Sequence, residues 1–286
     1  TACGSSEAQT DAAETTTEEA AAEETAAAEE TADTDAQAET GDLQVITVAA
    51  TAVPHAEILE AAKPILAEQG YDLQVTVFDD YVQPNEVVEA GDIDCNYFQH
   101  IPYLNSYNEE RGTHLVSVGE IHYEPIGIYA GTESDLSNIS DGADIAIPND
   151  TTNEARALLI LQDNGIITLK EGAGIDATIN DIAENPHNIN FVEMEAAQVS
   201  KVLSEVAFAV INGNYALDAG LNAQTDALAS ETSDSLAAQT YVNVVVVKEG
   251  NEDNEGVKAL VDVLKSDDIK KFIEETYEGA VVPFEG

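Results

Sequence analysis

From residue 43 onward, short apolar runs alternate with segments of helical periodicity, and this alternation is the strongest constraint on the fold. Residues 43–49 and 72–78 have the apolar, β-branched content of strands, and residues 54–69 between them carry apolar side chains at helical spacing. Strands joined by crossover helices form mostly parallel sheets. Because two successive runs of this kind occur, the sequence predicts an α/β protein with two lobes and mixed, mainly parallel sheets.

The same patterns continue to the end of the sequence. Further strands are predicted at residues 93–98, 115–118, 123–129, 143–147, 189–194, 206–211 and 241–247. Further helices are predicted at residues 84–90, 100–111, 151–164, 196–205, 215–220, 257–265 and 269–277, with Gly91, Gly112 and Gly165 at helix ends. In open α/β sheets ligands bind beyond the carboxyl ends of strands, so residues that directly follow strands are the first candidates for function.

A different composition precedes the first predicted strand. Residues 4–42 contain 13 Asp and Glu and no Lys, Arg or His. Such a segment buries too little apolar surface to offset the entropy of ordering, so we expect a disordered acidic tether. Before it, Thr1-Ala2-Cys3-Gly4 is typical of a lipoprotein whose signal peptide has been removed. We expect Cys3 to carry the lipid that anchors the chain to a membrane, the alternative being a stray cysteine.

The net charge of −46 excludes one class of partner. Ten Lys and Arg stand against 56 Asp and Glu, and phosphate groups need clustered cations, so we expect no nucleic acid partner. The sequence has no run of about 18 apolar residues that would predict a transmembrane helix. It also lacks nucleotide-binding glycine loops, a hydrolase nucleophile elbow and histidines at metal-ligand spacing. We therefore expect a binding protein without metal or cofactor, and not an enzyme.

Only two arginines occur, and Arg156 stands at an informative position. It follows the predicted strand end at Ile147-Pro148 and lies in the first turns of the next helix, where Thr151 and Glu154 fit a capping box. A helix N-terminus with an arginine and the amide of Asn153 on one face favours a bound carboxylate. The alternative is an Arg156 paired with a surface acid. Arg111, at a helix C-terminus, has the simpler role of stabilising the helix dipole.

Aromatic side chains gather after two predicted strands in a chain that has only 6% aromatic residues. Tyr81 follows the second strand, and Phe98, His100 and Tyr103 follow the third. Aromatic walls suit an apolar or thioether side chain, because sulfur and aromatic rings attract each other. Ordinary packing in the core is the alternative.

Two asparagines stand in or beside apolar strands, where asparagine is depleted. Asn212 ends the strand at residues 206–211, and Asn243 interrupts Tyr241-Val242-Asn243-Val244-Val245. A buried amide needs hydrogen-bond partners, so both are candidates to hold the charged groups of a ligand. Capping of strand ends is the alternative.

Several stretches taken together resemble the methionine-binding lipoprotein family, the NlpA-type lipoproteins. They are Phe78-Asp79-Asp80-Tyr81-Val82-Gln83-Pro84-Asn85, Gly91-Asp92-Ile93-Asp94 through Phe98-Gln99-His100, Pro102-Tyr103-Leu104, Ala146-Ile147-Pro148-Asn149-Asp150 through Arg156, Glu184-Asn185-Pro186, Ala209-Val210-Ile211-Asn212 and Tyr241-Val242-Asn243. The resemblance runs in order over residues 43–286. It implies a two-lobed, clamshell fold like that of periplasmic binding proteins (type II) and a role as the substrate-binding protein of an ABC importer.

The resemblance also implies a set of ligand contacts. It places the ligand side chain among Tyr81, Phe98, His100, Tyr103 and Tyr123, its carboxylate at Asn153 and Arg156, and its backbone at Asn212 and Asn243. The implied partners are L-methionine and the permease and ATPase complex of the importer, and we expect the protein to be a monomer. D-methionine, a methionyl dipeptide or another apolar amino acid stay open as ligands. An amino-acid-processing enzyme and a structural or adhesion protein stay open as functions.

These expectations define a domain plan. Residues 1–42 form the lipidated N-terminus and the tether, residues 43–122 with 241–286 form the first lobe, and residues 123–240 form the second lobe. The protein is expected on the extracytoplasmic face of the cell membrane, attached through Cys3.

Overall fold

Two β-sheets organise the computed structural model, which describes residues 42–286. Cys3 and residues 4–41 of the predicted tether lie outside the described residues. The strands are β1 (Gln44–Ala50), β2 (Tyr71–Val77), β3 (Cys95–His100), β4 (Leu115–Tyr123), β5 (Gly127–Ala130), β6 (Asp144–Pro148), β7 (Thr168–Leu169), β8 (Ile182–Glu184), β9 (Asn190–Met194), β10 (Phe208–Ile211), β11 (Ala229–Ser230), β12 (Val242–Lys248) and β13 (Val282–Pro283). The helices are α1 (Glu57–Glu68), α2 (Gln83–Ala90), α3 (Ile101–Arg111), α4 (Thr151–Asp163), α5 (Ala196–Val199), α6 (Gly213–Asp218), α7 (Leu236–Thr240), α8 (Glu255–Leu264) and α9 (Asp267–Tyr277).

The sheets are the centres of two lobes. The first lobe is built on a six-stranded sheet in the order β13-β4-β12-β3-β1-β2, and the second lobe on a five-stranded sheet in the order β11-β5-β10-β6-β9. The chain leaves the first sheet after Tyr123 and re-enters it at Val242. The two-lobed α/β architecture predicted from the sequence is confirmed, whereas the predicted lobe limits remain a prediction.

The proportion of parallel to antiparallel strand pairs differs from the one predicted from the sequence. Parallel pairing joins β2, β1 and β3 in the first sheet and β9, β6 and β10 in the second. The other pairings among the described strands are antiparallel. The sheets are therefore mixed, with a larger antiparallel share than expected, because β12 returns from the second lobe and runs opposite to both of its neighbours, β3 and β4.

The predicted strand at residues 123–129 is two strands in different sheets. β4 continues to Tyr123, which pairs with Val242 and Val282, and β5 begins only at Gly127. Pro125 lies between them and has no N–H to donate to a ladder, so the first sheet ends here and the chain crosses to the second lobe. This break brings the side chain of Glu124 to the boundary between the lobes.

Each lobe buries apolar side chains on both faces of its sheet. Helices α1, α8 and α9 cover one face of the first sheet, where Ile58, Leu59 and Leu260 are fully buried. Helix α4 covers one face of the second, with Leu158 and Leu161 fully buried. Burial of apolar surface stabilises a fold by about 25 cal/mol per Å². These packed layers therefore hold the strand ends in place. Those strand ends carry the side chains of the candidate site.

Candidate ligand-binding site

A small cavity lies where strand ends and helix starts of both lobes meet. Its walls are Tyr81, Phe98, Gln99, His100, Tyr103, Glu124, Asn153, Arg156, Asn212, Gly213, Asn214 and Asn243. The space left between these side chains is about 20 Å³, which accommodates about one water molecule. A larger ligand therefore enters only if the lobes separate or the side chains move.

The structure brings eight of the nine predicted ligand-contacting residues together on this wall. They are Tyr81, Phe98, His100, Tyr103, Asn153, Arg156, Asn212 and Asn243. The ninth, Tyr123, is not part of the wall. Its hydroxyl donates a 2.5 Å hydrogen bond to Glu231, behind Arg156.

Three aromatic rings of the first lobe form one side of the cavity. The ring centroids of Tyr81 and Tyr103 are 5.6 Å apart, and Phe98 lies 6.0 Å from each of them. The hydroxyl of Tyr103 donates to the main-chain oxygen of Tyr81 (2.8 Å), and the hydroxyl of Tyr81 reaches Asn214 of the second lobe (2.5 Å). The rings are thus fixed against each other and tied across the gap between the lobes.

His100 also joins the two lobes. Its Nδ1 accepts from the main-chain N–H of Tyr103 (3.1 Å), which caps helix α3, and its Nε2 lies 3.0 Å from Asn153 Oδ1. Burial, together with the nearby Arg156, lowers the pKa of His100 to about 3. The ring is therefore neutral, and since Nδ1 accepts, Nε2 carries the proton and donates to Asn153.

Arg156 is buried and already has an acidic partner. Its Nε and Nη2 donate to the two carboxylate oxygens of Glu231 at 2.8 and 2.7 Å, and Nη2 also donates to the main-chain oxygen of Glu124 (2.9 Å). Its guanidinium lies 4.1 Å from the centre of the Tyr241 ring. Although burial lowers the pKa of Arg156, Glu231 with Tyr123 and Tyr241 together raise it by more, so the residue is a permanent cation. Among the described residues, its Nη1 makes no hydrogen bond and stays available to a ligand.

The start of helix α4 differs from the predicted capping box. Asp150, not Thr151, is the N-cap, and its carboxylate accepts from the main-chain N–H of Asn153 (3.1 Å). The same carboxylate accepts from Asn153 Nδ2 (2.9 Å), while Glu154 accepts from the N–H of Ile179 instead (3.0 Å). Aspartate is as good an N-cap as threonine, and here it also orients the Asn153 amide.

The two predicted asparagines each keep one polar group unused. Asn212 donates from Nδ2 to Asn153 Oδ1 (2.9 Å), and its own Oδ1 is buried without a partner in the part of the chain that the structure describes. Asn243 Oδ1 lies 2.8 Å from His55 Nε2, and no hydrogen bond of its Nδ2 occurs within residues 42–286. A buried acceptor and a free donor thus line the same cavity.

Glu124 is a buried carboxylate that is hydrogen-bonded to His122 and lies beside His55. Its Oε1 lies 2.7 Å from His122 Nε2 and 3.3 Å from His55 Nε2. Burial lowers the pKa of His55 to about 4 and that of His122 to about 3, so both rings are neutral donors and not cations. Their Nδ1 atoms accept from the hydroxyls of Thr51 (2.8 Å) and Tyr97. Burial in turn raises the pKa of Glu124, against the opposing effects of His55 and Arg156.

The ligand atoms of His55, His122 and Glu124 all lie within 4.8 Å of one another, a spacing compatible with a metal ion. However, His122 Nε2 donates to Glu124 Oε1, His55 Nε2 donates to Asn243 Oδ1, and Thr51 and Tyr97 already occupy the other ring nitrogens. The arrangement is therefore a hydrogen-bonded cluster that positions Glu124.

Sequence reasoning missed the acids of the site. Glu231 carried no signal among 56 Asp and Glu, and Glu124 fell inside the predicted strand at residues 123–129. No local motif marks the histidines, because a partner can be distant in the sequence. His55, for example, hydrogen-bonds Asn243, which is 188 residues away. One usable signal existed: Glu124 directly follows a strand and precedes a proline, which is where the topology of α/β sheets places functional residues.

Comparison with known proteins identifies the family. The model of the NlpA lipoprotein family matches residues 46–285 of the chain. The chain belongs to the NlpA lipoprotein family. A methionine-binding lipoprotein MetQ of Bacillus subtilis is 41% identical over 250 residues, which are 86% of this chain and 90% of that protein.

Solved structures of NlpA-type relatives share the fold. A lipoprotein from Ruminococcus gnavus is 67% identical, with a TM-score of 0.84 over 85% of this chain and all of that one. A nutrient binding protein from Burkholderia cenocepacia, bound to methionine, is 42% identical, with a TM-score of 0.79 over 83% of this chain and 99% of that one. In this NlpA-family chain no helix among residues 42–286 has the length and apolar content to cross a bilayer.

Breaking the buried pair should destabilise this NlpA-family protein. Arg156→Ala leaves Glu231 buried without its cation, so we expect urea denaturation to show a free energy of unfolding lower by about 3–5 kcal/mol. Arg111→Ala is the matched control. Arg111 faces Glu86 at 3.5 Å with 47% of its side chain exposed, so the loss should be about 0–1 kcal/mol. Adding Glu231→Ala to Arg156→Ala should cost little more, and equal losses for the two arginine variants would contradict the burial of the pair.

Proposed function

We propose that this chain is the substrate-binding lipoprotein of an ABC importer, and that it takes up L-methionine in the cavity between its lobes. One observation carries the proposal: aromatic rings of the first lobe face the cation Arg156 and the unpaired amide oxygen of Asn212, both of the second lobe, across one cavity. Relatives described as methionine-binding, one of them solved with methionine bound, support the choice of ligand. D-methionine, a methionyl dipeptide and another apolar amino acid are the alternatives.

The ligand side chain is proposed to lie among Tyr81, Phe98, His100 and Tyr103. Each contact between sulfur and an aromatic ring contributes about 0.3–1.5 kcal/mol, and the rings already lie about 6 Å apart around the space that a thioether would enter. Tyr123 acts indirectly in this proposal, because its hydroxyl holds Glu231 in place behind Arg156.

The ligand carboxylate is proposed to lie at Arg156. Within the part of the chain that the structure describes, Arg156 Nη1 and Asn243 Nδ2 make no hydrogen bond, and both residues lie on the cavity wall. Asn153 does not have to contact the ligand itself to matter. It accepts from both His100 and Asn212 and therefore sets the positions of two wall residues in different lobes.

We also propose lobes of residues 43–122 with 241–286 and of residues 123–240. The return of β12 and β13 to the first sheet supports these limits. The lobes are proposed to open at the segments that follow Tyr123 and precede Val242, to admit the ligand, and to close on it. Closure then creates the surface that a permease recognises, because a partner shifts an equilibrium only by binding one state better than the other.

Binding without catalysis is the proposed outcome in the cavity. The thiol of Cys95 is buried in β3, and burial raises its pKa, so it is no nucleophile near neutral pH. Wall histidine His100 uses both ring nitrogens in hydrogen bonds. Methionine recovered unchanged after long incubation with the protein is the expected result, and a chemically altered ligand would favour an enzyme.

Selectivity for the side chain should follow from the aromatic wall. In competition against labelled methionine, norleucine should bind about 2- to 12-fold more weakly because it lacks the sulfur. Alanine should bind at least about 10-fold more weakly, since it loses about 1.5–3 kcal/mol or more of burial. Lysine should be rejected most strongly, because its charge would enter an apolar wall unpaired.

Phe98→Ala should weaken methionine binding and reduce its advantage over alanine. The matched control is Phe272→Ala, since Phe272 packs on Tyr277 at the far face of the first lobe and should leave the affinity unchanged. Alanine or lysine competing as well as methionine would overturn the ligand assignment.

Lipid attachment is proposed at Cys3, which would place the protein on the extracytoplasmic face of the cell membrane. When the chain is expressed in bacteria behind a lipoprotein signal peptide, it should incorporate labelled palmitate. Cys3→Ser should abolish the label. Cys95→Ser is the matched control and should keep it, because Cys95 is buried within β3. Label retained in Cys3→Ser would contradict the assignment.

A further inference from the structure

One tyrosine of the second lobe contacts the first lobe without lining the ligand cavity. Tyr215, in the first turn of α6, is 7% exposed, and its hydroxyl donates to the main-chain oxygen of Asp79 at 3.1 Å. Its ring centroid lies 5.0 Å from that of Tyr81. Both partners belong to the loop of the first lobe that joins β2 to α2. Tyr215 therefore bridges the lobes through two contacts, neither of which involves the ligand.

Tyr215 lies where two open grooves meet outside the cavity. It lines a groove of about 530 Å³ together with Asn214 and a groove of about 480 Å³ together with Tyr81. Asn214 and Tyr81 are hydrogen-bonded to each other, and both also line the closed cavity. Because each of these two side chains borders the cavity and a groove, their pair forms the partition between them. Tyr215 packs behind this partition, on its outer side.

The loop of the first lobe is ordered by contacts within its own lobe. The hydroxyl of Tyr103 donates to the main-chain oxygen of Tyr81 (2.8 Å). The carboxylate of Asp80 accepts from two main-chain N–H groups of the same loop. The oxygen of Asp79 is therefore presented on a preorganised loop, and its hydrogen bond with Tyr215 forms with little further loss of conformational entropy.

Helix α6 approaches the first lobe closely enough to aim Tyr215 at this loop. A Cβ added to Gly213 would lie 2.7 Å from Glu124 Cβ, so the first residue of the helix has no room for a side chain. Leu217, one turn later, packs against the apolar core of the first lobe. Tyr215 lies between these two contacts, so its direction is set by the packing of the whole helix.

We propose that Tyr215 is the latch of the closed form, a positioning residue that sets how long the ligand stays bound without touching it. The inference rests on the proposed function. The hydrogen bond to Asp79 and the ring contact with Tyr81 exist only while the lobes are closed, so they stabilise that state alone. Loss of the latch should therefore speed ligand release and leave ligand entry into the open form unchanged.

The test is the Tyr215→Phe variant in stopped-flow binding of methionine. Phenylalanine keeps the ring against Tyr81 and removes only the hydroxyl. The dissociation rate constant should rise about 2- to 12-fold, the effect of one lost hydrogen bond between neutral groups, while the association rate constant stays the same. Since Tyr215 does not contact the ligand, the ratio of the affinities for methionine and norleucine should also stay the same, unlike in Phe98→Ala.

Tyr129→Phe is the matched control. Tyr129 is a tyrosine of the same lobe at 1% exposure, and its hydroxyl has no hydrogen-bond partner in the part of the chain that the structure describes. Both rate constants of this variant should equal those of the wild type. If Tyr215→Phe behaves like Tyr129→Phe, or slows association instead of speeding dissociation, the latch is wrong.

A measurement on the wild-type protein tests the latch even if the variant does not fold. N-acetylimidazole acetylates accessible tyrosine hydroxyls, and mass spectrometry locates the modified residues. Methionine should slow the acetylation of Tyr215, because closure buries its hydroxyl against Asp79. Tyr71 is the internal control, since it lies half-buried at the start of β2, away from the cavity, and should react equally with and without methionine. Equal acetylation of Tyr215 in both states would overturn the latch.

These outcomes separate the latch from the proposed function. Methionine binding with unchanged dissociation in Tyr215→Phe would overturn the latch alone and leave the methionine-binding function standing. A wild-type protein that does not bind methionine would overturn both. Faster dissociation at unchanged association and unchanged selectivity assigns the latch to the Tyr215 hydroxyl.

Discussion

The guanidinium of Arg156 holds together the two segments in which the chain passes between the lobes. It donates to the main-chain oxygen of Glu124, directly after β4, and stacks on Tyr241, directly before β12. Its carboxylate partner, Glu231, is held in turn by the hydroxyl of Tyr123. Removal of one partner from a buried ion pair is strongly destabilising. These contacts therefore hold the two segments between the lobes together as one structural unit. Arg156 and Glu124 of this unit form part of the cavity wall.

Electrostatics in this chain depends on neutral and paired groups, not on the overall charge. The net charge of −46 lies mostly on solvated surface and on the acidic N-terminal residues, and solvent and salt screen charges of that kind. At the cavity, burial keeps His55, His100 and His122 uncharged, so they act as oriented donors. Within residues 42–286, the buried cation Arg156 is already paired with Glu231.

The elements that local pattern determines could be predicted from the sequence. Helix ends at Gly91 and Gly112 agree with their left-handed backbone angles of 82° and 66°. Position near the carboxyl end of a strand brought Phe98 and Asn212 to the same cavity, and the first two turns of α4 brought Arg156. These successes share one cause: the carboxyl ends of strands and the starts of helices converge in an α/β lobe, whatever the side chains are.

The contacts that depend on distant pairing could not be predicted. Glu231 lies 75 residues from Arg156, and no local signal distinguishes it from the other acids. The end of β4 at Tyr123, two residues before Pro125, required knowledge of which sheet each strand joins. The role of Asp150 as N-cap was missed because Thr151 and Glu154 fit a competing pattern equally well. Each miss concerns a choice among chemically similar residues, and only tertiary packing makes that choice.

The central claim is that the cavity holds an amino acid with its thioether among aromatic rings. Crystals of the protein, produced with ordinary methionine and grown with selenomethionine as the ligand, test this directly through anomalous scattering. Because the protein is produced with ordinary methionine, its own single methionine carries sulfur, and selenium marks only the ligand. The account predicts one anomalous peak among Tyr81, Phe98 and Tyr103. A peak outside the cavity walls, or an ordered cavity without selenium, would contradict it.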